Sequence, residues 1–167
     1  MNVYIIVGEK NTRKSTIARC LCGCSYSHDL WRDIEDSNGN QFELFVERNS
    51  SLQEGTGLLP QDFVNKINKG IPHNGNTVVP TDILVLLRVQ KVSDGGSNFP
   101  DAQTYINHFE SQPNWTTKAL ILLDQPASQT TPFPSSNQKP IVIMEPHIKT
   151  DPINKTAADI RSKLGWM

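Results

Sequence analysis

Val3–Tyr4–Ile5–Ile6–Val7, then Gly8–Glu9–Lys10–Asn11–Thr12–Arg13–Lys14–Ser15, then Thr16–Ile17–Ala18–Arg19–Cys20–Leu21: the reading of this stretch decides the fold. The first segment is apolar and rich in β-branched residues, fit for a buried strand. The last continues the chain as a helix. The eight residues between them meet the pattern G-x-x-x-x-G-K-[ST] at Gly8, Lys14 and Ser15, with Arg13 where the second glycine belongs. Strand, loop and helix in that order can wrap backbone N–H groups around a phosphate at the positive end of the helix. In that pattern the lysine reaches the terminal phosphates and the hydroxyl ligates magnesium. Glycine precedes the lysine because the backbone must approach the phosphate with no Cβ in the way. Arg13 puts a long side chain at this crowded point. It either swings outward, leaving a usable cradle and even a further charge-assisted contact, or it plugs the loop.

Composition narrows the classes. With 167 residues, 37% of them hydrophobic, the chain suffices for one α/β domain, here residues 1–167. A net charge of −1 provides no global field for nucleic acid or an anionic membrane. The longest apolar runs, such as Ile83 to Leu87, have strand length and not membrane-span length. No basic segment followed by an apolar stretch and a cleavage site opens the chain, so the expectation is a cytoplasmic protein. Cys20, Cys22 and Cys24 form C-x-C-x-C, but on a helix Cys20 and Cys22 point roughly 200° apart, and metal binding there is rejected. The four histidines lie far apart, no G-x-S-x-G elbow occurs, and no arginine-rich lid follows the later strands.

Further along, Leu30 to Ile34 and Gln41 to Val46 flank Asn38–Gly39, which predicts an antiparallel hairpin. Residues 50–57 read as a polar loop. Pro60 to Lys69 reads as a helix stopped by Gly70. Residues 71–81 read as a loop, Asp82 to Arg88 as a buried strand, and Ser93 to Ser97 as a break. Pro100 to Glu110 is amphipathic, with Ala102, Tyr105, Ile106 and Phe109 on one face. Lys118 to Asp124 and Ile141 to Met144 read as further buried strands, separated by a long Pro- and Ser-rich loop. Pro152 to Leu164 closes as a helix. Strands alternating with amphipathic helices predict a mainly parallel sheet covered on both faces.

This order of elements is similar to that of the small-GTPase branch of the P-loop NTPases. The likeness covers most of the chain by element order and only the loop by motif. It implies a three-layer, Rossmann-like α/β fold with helices on both faces and an edge hairpin. It also implies a phosphate site made by Gly8, Lys10, Asn11, Thr12, Arg13, Lys14, Ser15 and Thr16, with amides from Lys10 to Ser15 as the cradle. Magnesium with ATP or GTP would be held by Ser15 and by an acid at a strand end, Glu47 or Asp124. Glu47 is preferred, because its strand is expected beside the first, whereas the strand ending in Arg88 cannot serve. Two family elements are missing: Glu47–Arg48–Asn49–Ser50 stands in place of D-x-x-G, and Asp124–Gln125–Pro126–Ala127 in place of N-K-x-D. Guanine specificity is therefore unsupported. The expected function is nucleoside triphosphate binding with weak or no hydrolysis. The alternative is a non-catalytic protein-interaction module on the same scaffold, with a protein partner, no membrane and no nucleic acid.

Overall fold

The computed structural model describes residues 1–23, 31–47, 51–54, 57–94, 96–123, 141–143 and 152–167. Among them, six strands form one sheet: β1 (Asn2–Val7), β2 (Trp31–Glu35), β3 (Gln41–Val46), β6 (Asp82–Leu87), β9 (Thr116–Leu122) and β10 (Ile141–Ile143). Four helices accompany it: α1 (Lys14–Leu21), α2 (Pro60–Asn68), α3 (Ala102–Glu110) and α4 (Ile153–Leu164). Two small hairpins, β4 (Ile71–His73) with β5 (Asn76–Val78) and β7 (Val92–Asp94) with β8 (Ser97–Phe99), complete the order. The sheet runs β2-β3-β6-β1-β9-β10, and every neighbouring pair is parallel except β2 with β3.

The buried side chains of the central strands divide between two clusters. Ile5, Val7, Ile83, Val85 and Leu87 pack with Phe63 and Ile67 of α2 and Tyr105 and Phe109 of α3. Ile6, Leu84, Leu86 and Ile121 pack with Ile17 and Leu21 of α1 and Ile160 of α4. Alternation along β3 splits in the same way, Phe45 to the first cluster and Leu44 to the second. No helix among the described residues is long and apolar enough to cross a membrane.

The predicted edge hairpin is present, with Gly39 at φ +81° and the Asp36 carboxylate accepting from the amides of Asn38 and Asn40. The stretch 71–81, expected as a loop, instead folds back on itself. Asn74 (φ +48°) and Gly75 (φ +79°) make the tight turn of β4–β5, the geometry that Asn-Gly dipeptides favour. Likewise Gly96 turns β7 into β8 within the expected break.

The sheet order corrects one expectation. β3 pairs with β6, and it is β6 that lies beside β1, so the strand leading to Glu47 is not the neighbour of the first. The chain leaves β1 toward the β3 side and leaves β6 toward β9, across β1. Adjacent strands whose connections diverge open a crevice outside their carboxyl ends, where ligands of open α/β sheets bind. Here that crevice lies beyond Val7 and Leu87, which are level in the β1–β6 register.

α3 is held at its start by Asp101, whose carboxylate accepts from the Thr104 amide at 2.9 Å and hydroxyl at 2.8 Å. The Thr104 amide and hydroxyl hold this carboxyl below the usual carboxylate range. A depressed pKa stabilises the fold above the unfolded value near 3.9, and that stability is lost as pH falls through the folded value. Asp101→Ala is expected to lower unfolding free energy by about 1 kcal/mol at neutral pH. In urea unfolding the gap to wild type should narrow below about pH 4.

Candidate functional site

The loop between β1 and α1 is suspended between two strands. The Gly8 amide donates to the Leu87 carbonyl at 3.2 Å, and the Leu123 amide to the Val7 carbonyl at 2.9 Å. A Cβ at Gly8 would sit 2.5 Å from Thr12 Oγ1 and 3.2 Å from Leu123 Cβ, so glycine is required there by packing. Thr12 bonds back across the loop, its hydroxyl donating to the Glu9 carbonyl at 2.9 Å. Asn11 and Arg13 both adopt left-handed backbone, at φ +66° and +61°. Arg13 thus occupies a conformation that glycine enters freely and other residues enter at a cost of about 1 kcal/mol. The missing glycine is felt in the backbone as well as in side-chain bulk.

Arg13 is also the N-cap of α1, and its carbonyl accepts from the Ile17 amide at 2.9 Å. Among the described residues no side chain caps this helix, and no acidic residue lies in its first turn. The opening amides of α1 carry the partial positive charge of the helix end. Lys14 is only 7% exposed, and its ammonium donates to the carbonyls of Gly8 at 2.9 Å and Glu9 at 2.6 Å. These bonds carry the ammonium from the start of the helix back to the start of the loop, which closes the ring of residues.

A hollow of about 290 Å³ lies over this loop, lined by Lys10 to Thr16 and by Ser51, Glu54 and Arg88. Seven of the eight residues expected at a phosphate site thus share one lining, and Gly8 underlies it. Among the described residues the lining includes four cationic residues (Lys10, Arg13, Lys14 and Arg88) and one carboxylate, Glu54, which is ion-paired with Arg88. An anion is what such a lining attracts.

Of the expected magnesium ligands, Ser15 and Glu47 lie among the described residues, and they do not share the lining. Ser15 lines the hollow. Glu47 is absent from the lining, and both of its carboxylate oxygens accept from Lys66 of α2 at 2.8 Å. Asp124 falls outside the described residues. Among those residues no three His, Cys, Asp or Glu side chains gather as a metal-binding group. Of the cysteines, Cys22 is buried, and burial pushes its thiol up to about 12, as befits an inert core residue.

Two residues of the site carry no signal in the sequence. Gln53 sits in the stretch expected to be a polar loop, yet it is 0% exposed. Its amide nitrogen donates to the carbonyls of Pro100 at 2.6 Å and of Arg88 and Gln90 at 3.2 Å. Its carbonyl accepts from the Arg88 amide and from the Ser51 hydroxyl. One glutamine therefore fixes the backbone on both sides of Arg88. Arg88, expected only as a strand end unable to hold metal, is a wall of the hollow.

The chain matches no protein-family model, and comparison with curated proteins and with solved structures gives no match either.

Three substitutions test this geometry by their effect on stability. Gln53→Leu strands the buried Arg88 amide and three carbonyls, and should lower unfolding free energy by about 3 kcal/mol in urea. Arg13→Gly relieves the left-handed strain and should leave stability unchanged or raise it by up to about 1 kcal/mol. Gly8→Ala should instead lower stability by about 1–3 kcal/mol through overpacking against Thr12.

Proposed function

We propose that this chain is a P-loop NTPase-like protein of three-layer build that binds the phosphates of ATP or GTP in the loop from Gly8 to Thr16. The observation that carries the reading is the cationic hollow over that loop, at the divergence of β1 and β6. Amides from Lys10 to Ser15 form the cradle in this reading, and the α1 N-terminus adds its dipole. Lys14 exchanges its bonds to the Gly8 and Glu9 carbonyls for the β- and γ-phosphates. Arg13 lines the hollow and contributes charge to it, which favours a usable cradle over a plugged one.

Hydrolysis is weak or absent in this proposal. A hydrolase needs a group that orients water against the terminal phosphate. Glu54, the carboxylate of the lining, is engaged by Arg88. The fit is to a nucleotide-binding protein, with turnover a secondary property.

Thermal unfolding with millimolar ATP, GTP or neither, run in parallel with magnesium and with EDTA, tests the reading. A ligand at 100 times its dissociation constant stabilises by about 2.7 kcal/mol, roughly 5 °C or more at this size. Wild type should shift and Lys14→Ala should not. An equal shift in Lys14→Ala, or no shift in wild type under either condition, overturns nucleotide binding at this loop. The latter result leaves the protein-interaction module as the reading to pursue.

A further inference from the structure

We infer that the site binds its polyphosphate without a divalent cation, with the Arg88 guanidinium in the position where a P-loop would hold metal through a strand-end acid. The inference rests on the phosphate-binding reading above and concerns what neutralises the phosphate charge.

Magnesium demands near-octahedral oxygen ligation, and in such loops takes one hydroxyl from the loop and the help of an acid on a neighbouring strand. β1 has β6 on one side and β9 on the other, and the residue after the last of β6, Leu87, is Arg88. An arginine at this point reverses the sign of the charge. Among the described residues, the Glu54 carboxylate is engaged by Arg88, and Glu47 is turned to Lys66. Among the described residues, the lining a dication would meet includes Lys10 and Arg88 along with the loop itself.

Arg88 is also built to serve as a phosphate ligand. Its backbone is clamped by the buried Gln53, so the side chain starts from a fixed point. Its Nη2 pairs with Glu54, while its Nε is buried without a hydrogen-bond partner among the described residues. A buried, unsatisfied N–H on a charged group is costly, and a phosphate oxygen in the hollow is an acceptor that would relieve it. A guanidinium offers the planar fork that phosphate oxygens accept in pairs. Glu54 then restrains the fork until the anion arrives.

Calorimetric titration with inorganic tripolyphosphate, at constant ionic strength in EDTA and in excess magnesium, tests this. Wild type should bind in EDTA at least as tightly as in magnesium. Arg88→Ala should weaken binding in EDTA at least tenfold, and Arg88→Lys should recover part of the loss. Glu54→Gln, which frees the fork, should tighten binding, and it decides the matter should Arg88→Ala fail to fold. Binding that requires magnesium, or that is indifferent to both Arg88 and Glu54, overturns the inference and leaves the phosphate site standing. Absence of binding in both buffers overturns the site itself and the inference with it.

Discussion

Parallel pairing of β1 with β6, with Val7 level with Leu87, sets the ends of the two strands side by side, and the candidate site is assembled from the residues just beyond them. After Val7 comes the loop that leads into α1. After Leu87 comes Arg88, with Gln53 and Glu54 brought alongside because Leu52 continues the ladder by donating to the Leu86 carbonyl. Both strands are apolar beyond their first residues, and their buried side chains divide between two clusters. The crevice is thus a consequence of burying β1 and β6 side by side.

Within the crevice the polar groups depend on one another. Gln53 exchanges bonds with backbone on either side of Arg88, and Arg88 in turn holds Glu54. The Lys14 ammonium closes the loop onto its own carbonyls. Gln53 and Lys14 are buried enough to need their partners, since an unpaired polar group in this setting costs more than the bond contributes. Arg13 adds left-handed strain at the same place. Strain and charge concentrated in one loop, against well-packed apolar surroundings, motivate the binding proposal.

The far end of α1 is secured by a different device. The Arg161 guanidinium of α4 donates to the Leu21 carbonyl at 2.7 and 3.0 Å, answering the carbonyls and partial negative charge of the helix end. Trp166 then packs against Tyr4 and Phe42 while Met167 donates to the Glu35 carbonyl, so the last residues lie along the outer edge of β2. α1 is only eight residues long and would be marginal alone. Held at its C-terminal end by α4 and packed on the sheet, it presents its N-terminal amides at a defined place.

Local properties of the chain are legible from its residues. The runs of β1, β6 and β9, the amphipathic faces of α2, α3 and α4, and the Asn38–Gly39 turn come from side-chain period and backbone preference, which act over a few residues. The same turn dipeptide at Asn74–Gly75 is harder to read as a hairpin, because the flanking Ile71–Pro72–His73 lacks a strand-like apolar alternation. The phosphate-loop pattern likewise sits in one contiguous segment. What only the tertiary structure decided is which segments meet. Glu47 is expected beside the first strand and lies elsewhere, because strand order is not a local quantity. A glutamine in a polar stretch and an arginine after a strand are unremarked in sequence, and Gln53 and Arg88 acquire their roles only when β6 brings them beside the loop. Periodicity determines which face of a segment is buried, and only the packing of distant segments determines which polar groups must satisfy one another there.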